Sequence, residues 1–256
     1  MKTLKNITIA FIFSILCIVG VKAQEYKMPV RTSGKILVTK LYGKILIEGH
    51  SGNELIITVS GLKSSPARAD GLRSLYGTRD DNTGIGLSVE EVDDVIEITA
   101  ASKQAEDARY KFLVPQNVSI SIDCNSPFAD EDIFIKDLAS EIEVKILNGG
   151  IEFENITGPA VLYAINGDII GTFSEVNQEN PISITSINGD VDITLPANTP
   201  ANLKLSSTNG EIFTNMDIEF DSEKTTRRRT VRGKLNGGGV EIQIVSINDN
   251  VYLRKK

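Results

Sequence analysis

The chain has 256 residues and a formal net charge of −7, an acidic balance that repels phosphate backbones and argues against nucleic acid as a partner. Hydrophobic residues make up 41% at a mean hydropathy of −0.06, which is enough for a sizeable core and too much for a disordered chain. Aromatic residues stay at 6% and tryptophan is absent, leaving few stacking platforms for bases or sugars.

Residues 1–23 read as a secretory signal peptide. Lys2 and Lys5 give a basic start, the run from Ile7 to Val21 is apolar, and Val21-Lys22-Ala23 places small residues at the cleavage positions, so cleavage is expected before Gln24. Cys17 raises the question of a lipoprotein, but Leu16 is too bulky for that processing site. Loss of Lys2, Lys5 and Lys22 with no acid takes the mature charge from −7 to −10. No second apolar run follows, so no transmembrane span is expected after cleavage. Cys124 becomes the only mature cysteine; an internal disulfide is excluded, and the expectation is a small buried residue.

Beyond the leader the hydrophobic period is two almost everywhere. Strands are expected at Lys35–Val38, Lys44–Glu48, Leu55–Val59, Leu87–Glu90, Val95–Ile98, Tyr110–Val114 and Val118–Ile122. Residues 63–84 read as a long excursion with room for one helical turn, 101–109 as a second polar loop, and 217–234 as a third.

After residue 140 a short unit recurs. Ile165-Asn166-Gly167-Asp168-Ile169 returns as Ile187-Asn188-Gly189-Asp190-Val191 and as Thr208-Asn209-Gly210-Glu211-Ile212. Asn148-Gly149-Gly150-Ile151 and Asn236-Gly237-Gly238 are partial copies, and Ser246-Ile247-Asn248-Asp249-Asn250-Val251 closes the chain. Successive Asn positions lie 18, 22, 21 and 39 apart, the last reading as two periods with a loop. Asn and Gly enter positive φ at low steric cost, so each copy makes a tight bend between two short strands. A period of about 20 residues with one bend per repeat describes a solenoid whose coils pair edge to edge and whose Asn side chains stack as a ladder. The competing reading is a meander of antiparallel hairpins, which Asn-Gly also favours and which sets Ile184 opposite Ile193. The return of one residue type to one slot favours the solenoid. At Asn248-Asp249-Asn250 the glycine is replaced, and a looser bend is expected there.

These motifs resemble the putative adhesin family of bacterial cell-envelope proteins, a β-solenoid domain of unknown function. Phe112-Leu113-Val114-Pro115-Gln116 resembles its Val-Pro strand junction, the Asn-Gly-Asp/Glu copies its turns, and 233–239 with Val251-Tyr252-Leu253-Arg254-Lys255 its closing segment. The resemblance implies an all-β fold, a single-stranded parallel β-helix or β-solenoid, and an envelope location. The expected organisation is an irregular β-rich part over 24–115 and regular rungs over 116–256.

Chemistry-bearing patterns are few. His50 lies in a turn and is the chain's single histidine; it reads as a turn residue before it reads as a general base. No zinc spacing, phosphate loop, nucleophile elbow or dinucleotide fingerprint occurs, so no metal, cofactor or catalytic residue is assigned. Asp168, Asp190 and Glu211 would align along one edge near 5 Å apart, the geometry of a weak cation site or of solvated turn carboxylates. Asp130-Glu131-Asp132 reads as a charged loop. Arg227, Arg228, Arg229 and Arg232 form a basic run that could dock an anion. The structural bends are Asn148, Gly149, Asn166, Gly167, Asn188, Gly189, Asn209, Gly210 and Asn248. The functional expectation is a secreted, non-catalytic module in the periplasm or at the outer cell surface, binding polysaccharide, matrix protein or another envelope protein. The competing expectation is a polysaccharide lyase or hydrolase built on a β-helix, and a third is a periplasmic sensor.

Overall fold

The computed structural model describes residues 24–31, 34–64, 66–72, 79–220 and 230–256; the expected leader and Arg227, Arg228 and Arg229 lie outside them. Strands dominate, and the one α-helix among the described residues is a single turn, α1 (Lys103–Glu106), capped by Ser102, whose Oγ accepts the Ala105 N–H.

The strands form two sheets. The first contains β1 (Gln24–Pro29), β4 (Glu54–Ser60), β7 (Arg109–Pro115), β3 (Ile45–His50), β9 (Ile133–Lys136), β11 (Ile151–Ile156), β13 (Ile169–Phe173), β15 (Val191–Leu195), β21 (Val251–Lys255) and β17 (Ile212–Thr214), in that spatial order. The second runs β18 (Glu219–Phe220), β19 (Thr230–Leu235), β16 (Ala201–Ser207), β20 (Val240–Ser246), β14 (Ile182–Asn188), β12 (Ala160–Asn166), β10 (Ile142–Asn148), β8 (Ser119–Cys124), β2 (Lys35–Thr39), β6 (Val95–Ala100), β5 (Leu87–Val92). Neighbours from β6 to β16 in the second sheet, and from β7 to β17 in the first, are parallel. Each coil contributes one strand to each sheet, and the chain turns between them at a corner such as Asn188-Gly189. The meander is thereby excluded: Ile184 pairs with Leu162 and Ile244, while Ile193 sits in the other sheet beside Gly171 and Leu253.

Alternation explains the core. In β14 the pattern places Ile182, Ile184 and Ser186 inward, and in β15 Val191, Ile193 and Leu195. Because the side-chain period is two, a one-residue slip would expose the whole set, so register is tightly specified. Inward residues stack coil on coil, as in Ile122, Val144, Leu162, Ile184, Ile244 and Leu205. The result is one continuous apolar cluster between the sheets.

The coils do not stack in sequence order. The final coil, β20–β21, lies between β14–β15 and β16–β17. The 39-residue step from Asn209 to Asn248 is therefore not two periods; the chain passes outward to β16–β17 and returns to fill a gap. The opening coil does the same, since β2–β3 lies between β6–β7 and β8–β9. Antiparallel strands finish the stack: β4 pairs with β7 and β1 with β4, β5 pairs with β6, and at the far end β19 pairs with β16 and β18 with β19. Such covering strands protect edges that would otherwise template pairing with another chain.

One expected loop is corrected here, and another carries the helical turn expected of it. Thr230–Leu235, assigned to the third polar loop, is the covering strand β19. The 63–84 excursion carries a 3-10 turn at Ala67–Ala69. Its return is fixed by Asp81, whose Oδ1 accepts the N–H groups of Thr83 and Gly84 and whose Oδ2 accepts that of Gly86.

Candidate binding face

The corners come together as expected, and their hydrogen bonds fix their role. Asn166 Nδ2 donates to Asn148 Oδ1 at 2.9 Å, Asn188 Nδ2 to Asn166 Oδ1 at 2.8 Å, Asn248 Nδ2 to Asn188 Oδ1, and Asn209 Nδ2 to Asn248 Oδ1 at 2.7 Å. The ladder follows the spatial coil order 148, 166, 188, 248, 209. Asn236 does not join it; its Nδ2 donates to the carbonyls of Ala197 and Thr199 instead.

The glycines are needed for a reason other than the one the sequence suggests. Asn148, Asn166, Asn188 and Asn209 all keep negative φ, and among the corner glycines Gly149 has a clearly left-handed φ of 91°. The general constraint is close approach: a Cβ at Gly167 would lie 1.9 Å from the Gly149 carbonyl oxygen, and one at Gly189 2.2 Å from that of Gly167. Asp249 has no positive φ, and Asn248 bridges both neighbouring coils, so the expected looser bend is not found.

Two of the acids after the bends, Asp168 and Asp190, accept backbone N–H groups. Asp168 Oδ1 accepts the Asp190 N–H at 2.8 Å, Asp190 Oδ1 accepts the Asn250 N–H at 2.8 Å, and Asn250 Oδ1 accepts the Glu211 N–H at 3.0 Å. One slot further along, Asp132 Oδ1 accepts the Gly150 N–H at 2.6 Å. Gly150 and Asn250 interrupt the acidic row, so Asp168 and Asp190 are its one adjacent carboxylate pair. These side chains tie each corner to its neighbour. No cluster of three potential metal-ligating residues occurs among the described residues.

A third corner slot escaped the sequence reading. Two residues before each ladder Asn the side chain points inward: Ser186 Oγ donates to the Gly167 carbonyl at 2.9 Å, Ser246 Oγ to that of Gly189 at 3.0 Å, and Ser207 Oγ to that of Asp249 at 2.9 Å. Cys124 occupies the same register position, its Sγ 3.0 Å from the Leu41 carbonyl oxygen. It is buried as expected, and burial pushes its thiol up to about 12, with the Asp123 charge a smaller contribution in the same direction.

His50 closes its own turn. Its Nδ1 accepts the Gly52 N–H at 3.0 Å and its Nε2 donates to the Glu54 carbonyl at 2.8 Å, so both ring nitrogens serve the bend. Of the basic run, the described member Arg232 lies on β19 opposite Lys204, beside Lys234 and Asn202 around a shallow depression of about 330 Å³.

The outer face of the first sheet holds the most distinctive arrangement. In strict register it presents Leu46, Phe134, Glu152, Ile170, Asp192, Tyr252 and Phe213, one from each of seven adjacent strands. At about 4.8 Å per strand the row extends roughly 29 Å. Ile170 and Phe213 are exposed at 46% and 45%, apolar side chains left uncovered in a row that Glu152 and Asp192 interrupt. Phe213 stacks on Tyr252 with ring centroids 5.2 Å apart and planes at 13°. Arg254 grips Asp192 through two hydrogen bonds of 2.6 and 2.7 Å and lies over the Tyr252 ring. Lys44 Nζ sits 4.3 Å from the Phe134 ring centroid. A depression of about 350 Å³ opens among Leu46, Phe134, Lys136, Glu152, Glu154 and Ile170. The row joins sparse aromatics that are far apart in sequence, and the parallel stack alone brings them together.

The profile of the family described as Toastrack DUF4097 matches residues 117–254, more than half of the chain. No curated protein matches. Among solved structures, a putative cell adhesion protein from Clostridium sporogenes is similar at 12% identity and a TM-score of 0.47, covering 92% of this chain and 100% of its own. A putative adhesin from Bacteroides fragilis is similar at 14% identity and a TM-score of 0.43, covering 93% and 98% respectively.

Proposed function

The chain belongs to the Toastrack DUF4097 family, and from that premise we propose that it is an adhesin-like, non-catalytic surface module that holds an extended ligand against the outer face of its first sheet. The observation that carries this reading is the in-register row from Leu46 to Phe213. A ligand with its own repeat, a polysaccharide or an extended protein segment, meets contacts at a fixed spacing along a row of that kind. Aromatic rings supply contact area, and Glu152 and Asp192 within the row, with Arg254 beside it, supply polar groups. The Asp168 and Asp190 carboxylates are committed to backbone N–H groups, which leaves this pair poorly placed for acid–base chemistry. The leader pattern of residues 1–23 supports action outside the cytoplasm, in the periplasm or at the cell surface. No helix among the described residues is long and apolar enough to cross a membrane.

The mature protein assayed against a panel of polysaccharides and matrix proteins tests the reading. Saturable binding is expected, with no new reducing ends or unsaturated products. Phe134→Ala with Tyr252→Ala is expected to weaken binding while leaving the melting temperature within a few degrees. Turnover of a polysaccharide, or binding indifferent to both substitutions, would overturn the proposal.

A further inference from the structure

Five Asn-Gly pairs occur among the described residues, and the fold treats them unequally. Asn-Gly is chemically fragile because glycine carries no side chain to hinder its backbone nitrogen from attacking the preceding amide. Attack is hindered by either of two restraints: an amide held through both its oxygen and its nitrogen, or a following backbone nitrogen held in a hydrogen bond.

Four pairs carry at least one of these restraints, whereas the Asn236 amide is held through Nδ2 alone. The amides of Asn148, Asn166 and Asn188 are each hydrogen-bonded through both Oδ1 and Nδ2. The N–H of Gly149 donates to the Asn166 carbonyl and that of Gly167 to the Asn188 carbonyl. Asn209 ends the ladder with a bond through Nδ2, and its Gly210 N–H donates to Ser207 Oγ at 2.9 Å. The fifth pair stands apart. Asn236 and Gly237 are exposed in the turn between β19 and β20, no hydrogen bond of the Gly237 N–H or of Asn236 Oδ1 occurs among the described residues, and open space surrounds the Gly237 Cα. Asn236 also holds a left-handed φ of 49°, a conformation Asn enters more readily than other residues with a Cβ.

We propose that Asn236-Gly237 is the chain's deamidation site, and that the ladder protects the other four pairs. In the reaction the Gly237 nitrogen loses its proton to solvent and forms a bond to Asn236 Cγ. The Cγ–Nδ2 bond breaks, and the nitrogen leaves as ammonia after taking a proton from solvent. Water then opens the resulting succinimide at either carbonyl, giving aspartate or isoaspartate, with no oxidant or reductant involved. The consequence is structural. The Asn236 amide donates to the Ala197 and Thr199 carbonyls at 3.1 and 2.8 Å, pinning the β15–β16 connection to the β19–β20 turn. A carboxylate in its place donates nothing and repels both oxygens. The covering strand β19 and the coil β16–β17 beneath it therefore loosen as the protein ages, and the site acts as a slow, one-way timer.

The experiment is incubation of the folded mature protein at mildly alkaline pH, with peptide mapping of aspartate and isoaspartate at all five pairs. Asn236 is expected to convert at least about tenfold faster than any ladder Asn, the factor that about 1.4 kcal/mol of local opening imposes. In denaturant all five are expected to convert at similar rates. Asn248→Ala, which frees Asn188 Oδ1 beside a Gly189 N–H that has no hydrogen bond among the described residues, is expected to raise conversion at Asn188. Asn236→Asp is expected to lower the melting temperature. A ladder Asn reacting as fast as Asn236 in the folded protein, or no change at Asn188 in the Asn248→Ala variant, overturns the proposal.

Discussion

Cys124 and three serines share one inward corner slot, and each sends its hydrogen to a carbonyl of the adjacent coil's bend. These carbonyls are enclosed where coils meet, so an unanswered one costs about 1–3 kcal/mol. Ile146 and Ala164 fill the same position in the coils between, so a donor is not obligatory there, but where one is present thiol and hydroxyl serve the same role. Cys124→Ser is expected to retain stability within about 1 kcal/mol, because the fold already accepts serine at Ser186, Ser207 and Ser246. Cys124→Val, similar in volume but without a donor, is expected to lose about 1–3 kcal/mol. Urea midpoints of the two variants check this; equal losses would show that volume, not the hydrogen bond, governs the slot. The thiol's displacement to about 12 agrees with a structural part, since the reactive thiolate is suppressed at neutral pH.

At the scale of elements, the inserted opening coil is held on both outer faces by charge networks. On the second sheet Glu143 of β10 accepts hydrogen bonds from Lys145 at 2.8 Å, from Lys35 of β2 at 3.1 Å and from Ser121 of β8 at 3.1 Å. On the first sheet Glu48 of β3 pairs with Lys111 of β7 at 2.7 Å and Lys136 of β9 at 3.2 Å. The hydrogen bond from Lys145, then that from Lys35, brings the Glu143 carboxyl down from its ordinary 4.5 to about 2. A carboxyl lowered by folding contributes its full stabilisation above its unfolded value, and loses it as pH falls toward the folded value. Glu143→Gln is expected to cost about 1 kcal/mol at pH 7, in the range of networked surface pairs. That difference is expected to shrink as pH falls from 4.5 and to vanish near 2. Denaturant titrations at several pH values measure it, and a difference that persists at pH 2 would assign the effect to shape rather than charge.

At the scale of the whole molecule, what could be read from the sequence divides along a physical line. The Asn-Gly-Asp corners and the inward alternation were visible because each is a local pattern that a one-residue slip would destroy. The outer row was not, because Phe134 and Phe213 come to share a face through register alone, and no local signal marks the outward position two residues past each bend acid. β19 was hidden for another reason: Thr230–Leu235 covers an end, so only Gly233 and Leu235 are buried and the alternation is weak. The coil order was hidden because the 39-residue interval suits a skipped coil and a returning coil equally well.

That order makes the chain's C-terminus interior to the stack, which reverses the usual behaviour of a solenoid. When coils follow sequence order, trimming the end removes one nearest-neighbour interface and leaves the rest standing. Here residues 240–256 carry β20 and β21, which pair with β14 and β15 on one side and with β16 and β17 on the other. Deletion removes two interfaces in each sheet, strands the β16–β17 coil with its antiparallel cover, and opens Ile184 and Ile193 to water. It also breaks the ladder between Asn188 and Asn209. Truncation after Gly239 is therefore expected to abolish hydrogen-exchange protection across 201–214 and to lower it sharply across 182–195, while protection over 142–173 persists longest. Protection lost at 201–214 alone, with 182–195 unchanged, would mean that the stack behaves as a simple linear array and that the returning coil closes nothing.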